Sequence, residues 1–128
     1  IQFHGSNISA DLEQLWRRIV FNIAISNTDD HLRNHGFIVH NNGWHLSPAY
    51  DINPSIYKNG LALNIDMDNN SLDFELAKSV GTFFQLNSQK MNSIIKEVQL
   101  AVSSWRKIAN QIGIPRNEQE KMAKAFLV

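Results

Sequence analysis

A chain of 128 residues is the size of one domain with a real hydrophobic core. A hydrophobic content of 43 %, a mean hydropathy of −0.28 and the lack of any apolar run of roughly eighteen residues exclude a membrane-spanning helix. Zero cysteines exclude disulfides and thiolate metal sites, and are compatible with the reducing cytoplasm, which is the expected location. The formal charge is zero but unevenly spread. Residues 1–75 hold four Lys/Arg against nine Asp/Glu (−5), and residues 76–128 hold eight against three (+5). The two halves therefore face different partners or each other, or simply carry solvated charges on helices. The opening Ile1-Gln2-Phe3-His4-Gly5 has no initiator Met, basic n-region or apolar h-region, and reads as the cut start of a longer protein.

Residues 8–26 form the first clear element. Leu12, Leu15, Trp16, Ile19, Val20 and Ile23 recur at spacings of three and four, which predicts an amphipathic helix. Ser9 is the expected N-cap, with Asp11 and Glu13 in the first turn, where they favour the helix dipole. Phe21, Ala24 and Ile25 make the C-terminal end hydrophobic nearly all round, so the helix should be buried. Its last turn runs into Ser26-Asn27-Thr28, residues that favour turns and aim Asp29 into a loop.

The stretch from Asn27 to Pro54 carries the chemistry. Gly36-Phe37-Ile38-Val39-His40, then Asn41-Asn42-Gly43, then Trp44-His45-Leu46 reads as two short strands around an Asn-Gly turn, folding back at Asn42-Gly43. A strand of about five residues travels roughly 17 Å, and its partner returns within an inter-strand spacing of about 5 Å. Asp51 is therefore expected beside Asn34. An amide oxygen and a carboxylate at the open end of a hairpin are hard ligands suited to magnesium, which completes its shell with water and phosphate. Asp29, five residues before Asn34, is left off the metal to orient or deprotonate a hydroxyl attacking a phosphoryl group.

Each side chain also has a structural reading. Asp29 or Asp30 can cap a turn, and Asn34 can supply a left-handed residue ahead of Gly36. The joint spacing with Asp51 favours the site, while Asp30 has no role in the pattern and is assigned to solvent or structure. His31 and His35, four apart, with His40 and His45 facing across the turn, offer a rival zinc site. No cysteine and no H-E-x-x-H accompanies them, and His40 and His45 lie at the hairpin tip.

After the hairpin, Pro48 and Pro54 bracket a loop in which Tyr50 and Ile52 should anchor in the core on either side of Asp51. Tyr57-Lys58-Asn59-Gly60 reads as a turn, Leu61 to Asp66 as a short strand, and Asp68-Asn69-Asn70 as another turn. Asp66 and Asp68 lack the glycine and the later glutamate of a calcium loop. Ser71 is the expected N-cap of a helix with Leu72, Leu76, Ala77 and Val80 on one face and Gly81 as terminator, followed by Phe83, Phe84 and Leu86 in the core. Ser88 should cap the longest helix, where Met91, Ile94, Ile95, Val98, Ala101, Val102, Trp105, Ala109 and Ile112 keep the helical spacing up to Gly113. Pro115 opens a last helix through Met122, Ala123 and Phe126.

The run Asn27-Thr28-Asp29-Asp30-His31-Leu32-Arg33-Asn34-His35-Gly36-Phe37, followed by Gly43-Trp44-His45-Leu46-Ser47-Pro48-Ala49-Tyr50-Asp51-Ile52-Asn53-Pro54, resembles the C-terminal catalytic half of HipA-family serine/threonine kinases. These are the toxins of bacterial toxin–antitoxin pairs. The D-x-H-x-x-N core, Asp29 to Asn34, also occurs in lipid kinases of the phosphoinositide type, and the extension from Leu46 to Pro54 favours the HipA side. The resemblance implies an α+β, mainly helical fold, the C-lobe of a protein-kinase-like architecture with a small hairpin carrying the catalytic loop. It implies ATP and magnesium as cofactors, Asp29 as catalytic base, Asn34 and Asp51 as metal ligands, and His31 on the γ-phosphate or bracing the loop. It further implies a protein substrate linked to translation and a DNA-binding antitoxin partner. Tyr50-Asp51-Ile52 stands where other kinases have Asp-Phe-Gly, without the glycine.

A kinase also needs a glycine-rich phosphate loop and a lysine on the α- and β-phosphates. The six glycines here are scattered singly and no V-A-I-K-like strand precedes the first helix, so that lobe is expected upstream of Ile1. These 128 residues are expected to be a single domain that phosphorylates nothing alone. Two other readings stay open. One is a kinase of a lipid or small molecule. The other is a non-catalytic kinase-like domain that binds an antitoxin or nucleic acid through the basic C-terminal half.

Overall fold

A computed structural model describes residues 7–27, 35–50, 52–56 and 73–127. The turn expected at 57–60, the strand at 61–66 and the turn at 68–70 lie outside the described residues. The rest is mainly helical with one small antiparallel hairpin.

Helix α1 spans Ile8–Ala24 and is the longest element described. Its apolar repeat puts Leu12, Trp16, Val20, Ile23 and Ala24 in the core, with Trp16, Val20 and Ile23 wholly buried. The N-cap is Asn7, not Ser9, and it makes no side-chain cap bond. Ser9 lies inside the helix, and its hydroxyl donates instead to Gln85 Oε1 at 3.1 Å. A tertiary acceptor has drawn away the hydroxyl that local capping would use.

The hairpin pairs β1, Phe37–His40, with β2, Gly43–Leu46, in the register Phe37–Leu46, Ile38–His45, Val39–Trp44 and His40–Gly43. Its loop is thus Asn41-Asn42, one residue earlier than an Asn-Gly turn. Gly43 opens β2 with a φ of 124°, and neither asparagine has a positive φ. The backbone freedom needed to reverse the chain sits at the only residue there without a Cβ.

Helix α2, Phe74–Ser79, starts after Asp73, whose carboxylate accepts from Glu75 N at 2.9 Å. Ser71, the expected cap, lies outside the described residues and two positions before the observed one. Gly81 does not terminate a helix in the left-handed region. It begins a 3₁₀ turn, Gly81–Phe84, and a Cβ there would stand 2.0 Å from Met91 Sδ, so its smallness serves close packing. That turn leaves Phe83 exposed, contrary to its expected burial, while Phe84 and Leu86 pack on the core.

The long C-terminal helix is two helices. Helix α3, Ser88–Ser103, is capped by Asn87, one residue before the expected Ser88, with Asn87 Oδ1 accepting from Lys90 N at 2.8 Å. It stops at Ser103, and helix α4, Trp105–Gln111, continues after Ser104. The hydroxyls of Ser103 and Ser104 donate back to the carbonyls of Leu100 and Ala101, a pattern that competes with the helix ladder. Trp105 stacks on Phe126 with centroids 4.3 Å apart, which draws α4 towards the end of the chain. Ala101 and Ile112, expected in one continuous core stripe, are exposed. Helix α5, Arg116–Met122, follows Pro115 and leads into a 3₁₀ turn, Ala123–Ala125.

The core lies between α1 and α3, where Trp16, Val20 and Ile23 meet Met91, Ile94, Ile95, Val98 and Val102. Trp16 Nε1 donates to Ala77 O at 2.8 Å, so the buried indole N–H is satisfied and α2 is tied to the same centre. Ion pairs Lys90–Glu13 (2.9 Å) and Arg17–Glu97 (2.8 Å) border the interface. The acidic and basic halves thus face each other in part, although the second pair reverses the sense of the first.

Candidate active site

Helix α1 ends in a Schellman motif just before residues 28–34. Asn27 N donates to Asn22 O at 2.8 Å and Ser26 N to Ile23 O at 3.1 Å, with Ser26 at a φ of 55°. Asn27 is almost fully buried, and its side-chain amide donates to Asn22 Oδ1 at 3.0 Å. Asn27 is therefore a fixed point at the end of α1.

The other side of α1 holds the hairpin. Asp11, Arg18 and Asn22, seven and four residues apart, share the face turned away from Trp16 and Val20. Asp11 Oδ2 accepts from Leu46 N at 3.0 Å, and Arg18 Nη2 donates to Ser47 O. Arg18 Nη1 lies 3.4 Å from His35 Nδ1. Arg18 is only 4 % exposed, a guanidinium under the base of the hairpin that reaches both Ser47, just after β2, and His35, two residues ahead of β1.

Asp29, His31, Asn34 and Asp51 all lie outside the described residues. Their neighbours in the chain are described. At the open end of the hairpin, Ser47 N donates to Gly36 O at 2.8 Å, and a Cβ on Gly36 would lie 3.4 Å from Ser47 Oγ and 3.7 Å from the Tyr50 hydroxyl. At the other end, Ser55 N donates to Ser26 O at 3.0 Å. The described residues on either side of Asp51 are thus fastened at Gly36 and at Ser26, which flank residues 28–34 in the chain. Ile52 packs against the core as expected, but Tyr50 is 45 % exposed rather than anchored there. Its ring crosses towards Gly36 instead. Beside the segment, Arg17, Arg18, Phe21, Ile52, Glu97 and Val98 help to wall a cleft of about 200 Å³ between α1 and α3.

The histidines separate. His40 and His45 meet ring to ring, edge on, with centroids 4.4 Å apart at the hairpin tip, and His45 Nε2 lies 3.3 Å from Asn42 Oδ1. His35 is at the base, beside Arg18. Among the described residues no group of three His, Asp or Glu side chains gathers at metal-binding range.

Ser26 lies in the turn expected at the end of α1, but its bond to Ala125, like the burial of Arg18, is not anticipated by the local sequence. The one local signal that separates Arg18 from the neighbouring Arg17 is its place on the helix face shared with Asp11 and Asn22. For the Ser26 hydroxyl bond there is none, because its partner lies 99 residues away.

The family description "HipA-like C-terminal domain" matches residues 1–106, which take in α1, the hairpin, α2 and α3 and stop at the start of α4. Comparison with curated proteins and with solved structures gives no match. Among the described residues no helix is long and apolar enough to cross a membrane. With the family description covering most of the chain, this protein belongs to the HipA-like C-terminal domain family.

Proposed function

We propose that the chain is the catalytic half of an ATP-dependent protein serine/threonine kinase of the HipA toxin type. The observation that carries the reading is the double fastening of the 47–55 segment, to Gly36 and to Ser26. It brings the described residues on either side of Asp51 to Gly36 and Ser26, which flank in sequence the stretch bearing Asp29 and Asn34, and this supports a shared nucleotide-metal site. In this reading the acceptor hydroxyl oxygen bonds to the γ-phosphorus as the bond to the bridging oxygen of ADP breaks, and Asp29 takes the proton. Asn34 and Asp51, an amide and a carboxylate, are a hard donor set that fits magnesium, and His31 contacts the γ-phosphate or braces the loop. Magnesium, when bound, neutralises charge on the β- and γ-phosphates.

A DNA-binding antitoxin partner and a translation-related protein substrate belong to the same proposal, as does weak DNA contact through the basic residues of 76–128. In the complete protein, Asp29→Ala and Asp51→Ala should each lower phosphoryl transfer by roughly 10²–10⁴-fold with the circular dichroism spectrum unchanged. Autophosphorylation at the parental rate in either variant overturns the assignments. Labelled phosphate appearing on lipid and not on protein would move the acceptor class.

A further inference from the structure

Two helices end in the same cap with different residues. At the end of α4, Ile114 N donates to Ala109 O and Gly113 N to Asn110 O, and Gly113 takes the left-handed position (φ 83°) with open space where a Cβ would stand. This is the usual choice, because glycine adopts that conformation without a steric cost. At the end of α1 the equivalent position is Ser26, which accepts that cost. Its hydroxyl is buried and donates to Ala125 O at 2.6 Å. Next to it Leu127 N donates to Ala24 O at 2.7 Å, and Phe126 between them stacks on Trp105. Ser26 O in turn accepts from Ser55 N. Three parts of the chain therefore meet on one residue: the end of α1, the segment that follows Asp51, and the C-terminal residues 125–127.

We propose that Ser26 is a positioning residue for phosphoryl transfer, and that the C-terminal segment Ala125–Leu127 holds it in place through the Ser26 hydroxyl. The inference rests on the kinase reading. Ser26 lies three residues before Asp29 and is bonded to Ser55, four residues after Asp51, so it links the segment bearing the base to the segment bearing the metal ligand. A hydroxyl tied to a third, separately packed segment removes the remaining freedom of that link. Losing the tie leaves nucleotide binding in place and disturbs the alignment of base and acceptor, which is felt in kcat.

Ser26→Gly in the complete protein tests this, because glycine makes the same cap without strain and removes the hydroxymethyl group that reaches Ala125 O. The expected result is a kcat lowered about tenfold with KM for Mg-ATP within about twofold. Amide hydrogen exchange should quicken at residues 27–36 and 52–56 and stay unchanged in α3. Ser26→Ala, which keeps the Cβ, should lower kcat equally; a loss seen only with alanine would trace the effect to backbone strain and overturn the proposal. So would parental kcat in Ser26→Gly while Asp51→Ala is inactive, or unchanged exchange at residues 27–36. If Asp51→Ala also turns over at the parental rate, the kinase reading itself falls and takes the positioning role with it.

Discussion

The α1–α3 interface and the β1–β2 hairpin lie on different sides of one helix and are held to it by different forces. Towards α3, α1 offers Trp16, Val20 and Ile23, all wholly buried, and the attachment is broad, apolar and undirected. Towards the hairpin it offers Asp11 and Arg18, and the attachment is a few directed polar bonds to Leu46 N, Ser47 O and His35. Phe37, Ile38 and Val39 on β1 remain 43–63 % exposed, so burial contributes little there. The contrast teaches that α1 acts as a beam. One side anchors it in the core, and the other sets where the hairpin stands.

Substitutions on the two sides should therefore fail in different ways. Trp16→Ala removes a wholly buried side chain and the bond to Ala77 O, and should destabilise the whole fold by about 3–5 kcal/mol in a urea titration. A loss below about 1 kcal/mol would mean that the core centres elsewhere. Arg18→Met keeps the aliphatic stem but deprives Ser47 O of its donor, at a cost of roughly 1–3 kcal/mol. Its signature is local: faster amide exchange at residues 37–47 with α3 unaffected, and uniform acceleration across the chain would break the distinction drawn between the two sides. The smallest effect belongs to Arg17→Ala, which removes an exposed ion pair with Glu97 and should change stability by less than about 1 kcal/mol, with any change disappearing in high salt.

The elements with a strong internal period were legible. Leu12, Trp16, Val20 and Ile23 announced α1, and the alternation around Asn41-Asn42-Gly43 announced the hairpin. Caps were misplaced by one or two residues, Ser9 for Asn7 and Ser88 for Asn87, because each helix start offers several neighbouring polar residues and the tertiary fold decides where the helix begins. The apolar spacing that ran on through Ser104 concealed the break between α3 and α4, since two serine hydroxyls and the pull of Phe126 on Trp105 do not register in a hydrophobic period. Of the candidate site, the motif from Asn27 to Pro54 could be read directly, whereas Arg18 beneath it could not.

By itself the sequence determined the apolar faces of α1 and α3, the paired strands and the family, because each is written in residues close together along the chain. Only the tertiary structure decided that Gly81 serves close packing against Met91, that Arg18 is buried under the hairpin, and that Ser26 holds a left-handed turn bonded to Ala125. Each of those depends on a partner 10 to 99 residues away, and a local pattern carries no information about which distant surface will arrive to cover it.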